Sequence, residues 1–400
     1  MIKAAVMGFG TIGSGVVEVL TVNKESIAKR VGDTIEVKYV LDLRDFEGDP
    51  IQDKIVHDYK TIAEDKEVSI VVEAMGGVEP AYTFVKAMLE AGKHVATSNK
   101  ALVAEKGAEL LELAKAKNVN FQFEASVGGG IPIIRSLKSC LTADVVEEIT
   151  GIINGTTNYM MTEMSEKGAD FDDVLKDAQA KGYAEKDPTA DIEGFDAGRK
   201  IAILTSLVCG QQVDFEDIHT EGISHITSTD IKYAKAMGRA IKLLATSKKT
   251  DAGIEAMVAP FLLAPEHPLY SVKGVFNAVF VKGNMLGDAM FYGSGAGKLP
   301  TASAVVADVV EMAKHMDKHI EIEWKQDKLE LVDFKKAENK FFVRANATEE
   351  EVKAVFGEAE FVSAEDVSGE VGFITDIMTE AVFEEKAAQL GNVLQTIRVK

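Results

Sequence analysis

The chain opens with MIKAAVMGFGTIGSGVVEVL, in which a short apolar run gives way, through glycines at 8, 10 and 13, to apolar residues at helical spacing. This predicts a strand, a tight turn and a helix, with G-x-G-x-x-G in the turn. The first glycine permits the turn, the second lets backbone approach a pyrophosphate, and the third lets helix and strand pack closely. The helix N-terminus adds free amides and the positive end of its dipole. Gly8, Gly10 and Gly13 therefore predict a dinucleotide-binding turn.

The same alternation runs on through the next hundred residues. EVKYVLDLRD, SIVVEAMGG, HVATSNK and VNFQFEASVGGG read as strands, and PAYTFVKAMLEAG and AEKGAELLELAKAKN as helices. Strands alternating with helices to about residue 130 imply an α/β fold, a Rossmann-type doubly wound parallel sheet. The second strand ends with both Asp42, able to hold a ribose 2′-hydroxyl, and Arg44, able to meet a 2′-phosphate, so NAD and NADP are both open.

Beyond GGGIP the pattern becomes α+β. KYAKAMGRAIKLLATS reads as a helix, as does the stretch from about Thr301 to Lys314, while residues 318–339 read as a charged connector. The end of the chain runs strand, helix, strand, strand, helix, strand, a small ferredoxin-like module. Four hundred residues exceed one ordinary core. The expected domains are a dinucleotide-binding domain over 1–130 with a returning helix at about 301–316, a substrate-binding and dimerisation domain over 131–300, and the module over 338–400.

A net charge of -20 leaves no basic surplus to displace counterions, which argues against a nucleic-acid binder. No stretch has the apolar length of a membrane span, and the N-terminus lacks a signal-peptide core, so a cytoplasmic protein is expected. Cys140 and Cys209 lie in apolar surroundings and are expected to be buried, inert thiols. YGSGAGKLP is not a phosphate-binding Walker loop, because Leu299 replaces the hydroxyl after Lys298. It remains a glycine loop able to approach a cofactor. No H-E-x-x-H or G-x-S-x-G is present, which disfavours a catalytic zinc and acyl-enzyme chemistry.

One stretch is unusually acidic. KGYAEKDPTADIEGFDAGRK carries Glu185, Asp187, Asp191, Glu193 and Asp196 ahead of Lys200, which heads the apolar run IAILTSLV. On a helix beginning after Pro188, Asp196 and Lys200 stand four apart and face the same way. Such a pair is either a surface ion pair or part of a pocket. In a pocket, the carboxylates would hold a substrate ammonium, and a partly desolvated lysine would pass a proton to a carbonyl oxygen as hydride arrives.

GFGTIGSGV, TSNKALVA, FEASVGGGIPII, GIINGTTNYMMTEM and KGYAEKDPTADIEGFDAGRKIAIL together resemble the signature segments of homoserine dehydrogenase, in the family's order over residues 1 to about 310. The resemblance implies NAD(P)H-dependent, reversible reduction of aspartate 4-semialdehyde to homoserine, on the route to threonine, methionine and isoleucine. It makes Lys200 the proton donor, Glu185, Asp191 and Asp196 the substrate carboxylates, and Lys100 a second catalytic candidate where cofactor and substrate meet. It places Phe9, Thr11 and Ile12, with the three glycines, at the cofactor phosphates, and Arg44, Ser98, Lys100 and Gly295 among the cofactor contacts. It implies a monovalent cation, Na+ or K+, on Glu124, Val127, Gly129 and Ile131. A homodimer or homotetramer acting on a small molecule, with no nucleic-acid or membrane partner, is implied.

The C-terminal module resembles an ACT regulatory domain but lacks the Asp-x-Pro-Gly turn after its first strand, so weak or absent threonine inhibition is expected. Two other readings would leave their own marks. A phosphorylating semialdehyde dehydrogenase needs a thiolate nucleophile, and a ligand sensor would not need the acid–lysine segment.

Overall fold

The computed structural model describes all 400 residues, in two compact units. The first comprises Met1–Ala143, Ala202–Asp214 and Gly293–Leu329, and the second Asp144–Ile201, Phe215–Tyr292 and Glu330–Lys400.

In the first unit, β1 (Ile2–Met7), β2 (Ile35–Leu41), β3 (Ile55–Val56), β4 (Val68–Glu73), β5 (His94–Thr97) and β6 (Phe121–Gln122) form a sheet in the order β3-β2-β1-β4-β5-β6. Every pairing is parallel. Ala4, Ala5, Val6 and Met7 are fully buried, as a parallel strand covered on both faces requires. One layer of that cover combines Val16 and Leu20 of the helix Thr11–Val22 with Val305, Val309 and Met312 of the helix Lys298–Lys314. The two helices approach closely because Gly15 has no side chain; a Cβ there would lie 2.9 Å from the Lys298 carbonyl oxygen. The strand order reverses between β1 and β4, and ligands of such sheets bind in the crevice at the carboxyl ends of the strands there.

The charged connector does acquire structure. β14 (Lys325–Lys328) pairs in parallel with β8 (Gln211–Gln212), and buried Trp324 donates its indole N–H to Gln212 Oε1 at 3.0 Å.

The second unit is built on β7 (Val146–Ile152), β9 (His219–Thr220), β10 (Ala240–Thr250), β11 (Gly253–Leu263), β12 (Phe276–Gly283), β13 (Gly287–Ser294), β15 (Glu338–Ala345), β16 (Glu360–Val362), β17 (Val371–Ile374), β18 (Met378–Thr379) and β19 (Val393–Val399). They form one sheet in the order β13-β12-β7-β10-β11-β19-β15-β17-β16, with β9 beside β11 and β18 beside β15. The last four positions carry the module's strands in the order fourth, first, third, second, with the helices Glu349–Phe356 and Glu380–Leu390 between them, which is the ferredoxin-like pattern. Phe341, Val343, Val352, Phe356, Phe373 and Phe383 fill its core. Burying each large side chain stabilises the fold by about 1.5–3 kcal/mol. β19 joins β11 in parallel, and Arg398 beside that junction pairs with Glu380 and Glu221, each at 2.7 Å.

Three expectations are corrected. KYAKAMGRAIKLLATS is not one helix: the helix Ser228–Ala236 ends before Gly238, whose φ of +65° is left-handed, and the apolar remainder becomes β10, buried between β7 and β11. The helix after Pro188 is interrupted, Thr189–Ile192 being separated from Phe195–Cys209 by Gly194 at φ +82°. Cys140 is exposed, at the solvent-facing end of the short helical stretch Ser136–Cys140, and Cys209 is partly exposed, so apolar neighbours in sequence did not bury either thiol.

Candidate active site

Asn154 follows β7 and caps the helix Gly155–Lys167, its side-chain oxygen accepting from the Thr157 amide at 2.9 Å. Its amide group faces the other way, donating to Asp191 Oδ1 at 2.7 Å and to Asp196 Oδ2 at 3.0 Å. Asp196 and Lys200 project from the first turns of the helix Phe195–Cys209. Lys200 Nζ donates to Asp196 Oδ2 at 2.7 Å and to the Ile153 carbonyl at 2.8 Å. Asp196 is 2% exposed and Lys200 9%, so this is a desolvated pair, not a surface one. Buried ion pairs rarely repay their desolvation, so one placed beside a further carboxylate suggests use in chemistry.

The structure thus brings Asp191, Asp196 and Lys200 together. It does not add the Glu185 side chain, which is exposed while the Glu185 carbonyl accepts from Gln179. Asp187 instead caps the next turn through the Thr189 amide and hydroxyl. Sequence reasoning missed Asn154. The available signal was an asparagine before Gly-Thr-Thr, a helix cap whose amide is left over for another partner.

The glycine turn has the expected form. Gly8 has φ +92°, and a Cβ on Gly13 would stand 1.9 Å from the Gly8 carbonyl oxygen. Gly10 occupies the N-cap position without any side-chain cap, so the amides following it, through Thr11, Ile12 and Gly13, have no side chain at the cap to satisfy them. That suits a bound pyrophosphate. Asp42, at the end of β2, accepts from the Phe9 amide at 2.8 Å and from Arg44, whose guanidinium also reaches the Phe9 carbonyl. The Arg44 guanidinium, helped by the Arg44 and Phe9 amides against burial, holds the Asp42 carboxyl well below the usual carboxylate range. Arg44 itself remains largely exposed.

At the carboxyl end of β5, Thr97 donates to buried Glu73, Ser98 follows, and Asn99 caps the helix Lys100–Ala116. Lys100 is that helix's first residue, where the dipole disfavours a cation. Gly129 packs on Gly295, a Cβ at 129 coming within 2.2 Å of the Gly295 carbonyl oxygen, and Gly130 donates to Ser294. The Glu124 carboxylate accepts from the Ile134 and Arg135 amides, both at 2.8 Å, and Asp308 accepts from the Glu124 amide and from Arg135. Burial, with Asp308 adding to it, pushes Glu124 up to about 7.

Residues 8–124 match the NAD binding domain of homoserine dehydrogenase, and residues 132–310 match the family's second domain, described as homoserine dehydrogenase. The homoserine dehydrogenase of Neisseria gonorrhoeae is 47% identical over 315 residues, 78% of this chain and 72% of the relative. The chain belongs to the homoserine dehydrogenase family. A crystal structure of a homoserine dehydrogenase from Thiobacillus denitrificans superposes with a TM-score of 0.90 at 35% identity, covering 100% of this chain and 98% of that one. A hyperthermophilic archaeal homoserine dehydrogenase in complex with NADPH matches with a TM-score of 0.66 at 29% identity, over 78% of this chain and 97% of that one. The protein is thus an NAD(P)-binding oxidoreductase that interconverts L-aspartate 4-semialdehyde and L-homoserine, a step of threonine, methionine and isoleucine biosynthesis. No helix is long and apolar enough to cross a membrane.

Proposed function

We propose that Lys200 is the proton donor of this homoserine dehydrogenase, and that Asp191 and Asp196, with Glu185 at the outer side, hold the substrate's ammonium and hydroxyl. The observation that carries the reading is the buried Lys200 ammonium, 2.7 Å from Asp196 and 2.8 Å from the Ile153 carbonyl. Both contacts are hydrogen bonds donated by the amine nitrogen, which holds Nζ in place to give up a proton. A substrate carbonyl oxygen placed against the Lys200 ammonium would receive the proton as negative charge develops there. In the reverse direction the neutral amine takes the proton back from the homoserine hydroxyl. Asn154 positions both aspartates and so keeps Asp196 turned toward Lys200.

The bound nicotinamide supplies or accepts the hydride. Gly8, Phe9, Gly10, Thr11, Ile12 and Gly13 would hold its pyrophosphate, with Ser98, Lys100 and Gly295 further contacts and Lys100 a second charge for the reaction. Exposed Arg44 suits a 2′-phosphate and Asp42 a ribose hydroxyl, so both cofactors are served by groups already present. A sodium or potassium ion would be held by Glu124 with the carbonyls of Val127, Gly129 and Ile131, an all-oxygen set of one buried carboxylate and three main-chain oxygens, with buried Asp308 against the Glu124 amide.

We further propose a cytoplasmic homo-oligomer. β13 ends its sheet, and Phe276, Met290 and Tyr292 on this hairpin, with Met285 and Leu286 at its turn, are exposed. A second copy of the chain would cover this edge. Light scattering at the mass of a single chain would exclude it.

The assay that tests the reading supplies homoserine with NAD or NADP, in sodium, potassium and tetramethylammonium buffers. Reduced nicotinamide is expected to accumulate, with the preferred cofactor turned over faster and activity lower in tetramethylammonium. Silence with both cofactors in every buffer would refute the function. Equal rates in all three buffers would remove the cation alone.

A further inference from the structure

Lys242 is a buried lysine that the reaction does not use. It lies in β10, 4% exposed, inside the run that makes β10 a core strand. Its ammonium donates to Asn158 Oδ1 at 3.0 Å and to the Val272 carbonyl at 2.5 Å, and no carboxylate forms an ion pair with it. An ammonium has three N–H donors, so two are engaged by neutral acceptors and one is left for the cavity that Lys242 lines. Burial, then the nearby Lys273, lowers Lys242 to about 8, with Glu166 acting the other way.

The cavity has a volume of about 230 Å³. Lys235, Arg239, Lys242 and Lys273 line it with a single acid, Glu166. Glu166 is paired with Lys273 at 2.8 Å and Arg239 donates to the Lys400 main-chain oxygen at 3.2 Å, so no acid of the lining is left for Lys235, Arg239 and Lys242, in a chain whose net charge is -20. Lys235 and Arg239 stand at the more exposed rim, and Lys242 forms the floor. The Thr162 hydroxyl in the same wall is already engaged, donating to the Asn158 carbonyl and accepting from the Gly274 amide. The recognition chemistry offered is therefore cationic donors, Lys242 at the floor and Lys235 and Arg239 at the rim, with the Ser165 and Tyr270 hydroxyls also in the lining. That arrangement matches an oxyanion whose acceptors point several ways, more than a planar carboxylate. None of these residues belongs to the Lys200, Asp196, Asp191 and Asn154 cluster.

We propose that this cavity binds a small tetrahedral oxyanion of the inorganic-phosphate class, with Lys242 at its floor and Arg239 and Lys235 at its rim. The test is calorimetric titration of the full-length protein with inorganic phosphate, at ionic strength held constant with chloride. Saturable binding is expected. In the Lys235→Gln/Arg239→Gln double variant, whose changes lie at the exposed rim and spare the core, affinity should fall about tenfold or more through loss of two charge-assisted contacts. Lys242→Met should abolish binding while keeping the side-chain volume. If that variant does not fold, the rim variant alone decides. No saturable binding by the unmodified chain overturns the site. So does unchanged binding by the rim variant, which would assign the phosphate elsewhere, the glycine turn included. Succinate binding tighter than phosphate, lost in the same variants, would overturn the oxyanion class.

Discussion

Lys200→Ala lowers the turnover of homoserine oxidation by about 10²–10⁴-fold, the range that one positioned acid–base group supplies, and leaves cofactor affinity nearly unchanged. The split follows from geometry. Lys200 is tied to Asp196 and the Ile153 carbonyl, whereas the cofactor-phosphate groups are amides of the glycine turn. Removing one partner of a buried ion pair also costs stability, about 3–5 kcal/mol, so loss of activity by itself does not prove a chemical role. The double variant Lys200→Ala/Asp196→Asn separates the two effects. It removes the uncompensated charge and is expected to recover most of the unfolding free energy, while turnover stays low. Turnover that returned together with stability, or an alanine variant as active as the parent, would remove Lys200 from the mechanism.

The second large effect is expected at Gly10. Its φ is -83°, which any residue adopts, and a Cβ there would meet no atom within 4 Å. Gly10→Ala is therefore neutral for folding. The added methyl occupies the space through which a pyrophosphate approaches the amides. Separating even one or two charge-assisted hydrogen bonds from those amides costs about 1.5–3 kcal/mol each, so affinity for reduced cofactor should fall by about 10–100-fold or more. Gly13→Ala makes the contrast, because its Cβ would lie 1.9 Å from the Gly8 carbonyl oxygen and the turn itself must deform. Cofactor titration by nicotinamide fluorescence, set beside denaturant unfolding, checks both. Unaltered affinity in Gly10→Ala would show that phosphate does not come close at this turn.

The first sheet was legible because each of its signals is local. A parallel strand buried on both faces reads as a short continuous apolar run, and the glycines after β1 and in the loop after β4 mark where such strands stop. β10 was not legible, since its lysine at 242 and its length suit a helix, and what makes it a strand is pairing with β7 and β11. Likewise, nothing near residue 398 reveals that β19 will join β11.

The site divides along the same line. The Asp196–Lys200 pair follows from helical spacing and is read directly. Asp191 joins it only through Asn154, which lies 37 residues upstream of Asp191 and 42 upstream of Asp196. Gly194, breaking the helix between them with a left-handed φ, turns the two aspartates toward one amide group. Glu185 shared the composition of the cluster but not its burial, and the charge count could not distinguish the two.

The most direct measurement is a crystal structure with homoserine bound. The homoserine hydroxyl oxygen should lie about 2.6–3.2 Å from Lys200 Nζ, the reach of a proton-transferring group, with the substrate ammonium on Asp191 or Asp196. Homoserine bound elsewhere, or bound with its hydroxyl turned away from Lys200, would contradict Lys200 as the proton donor.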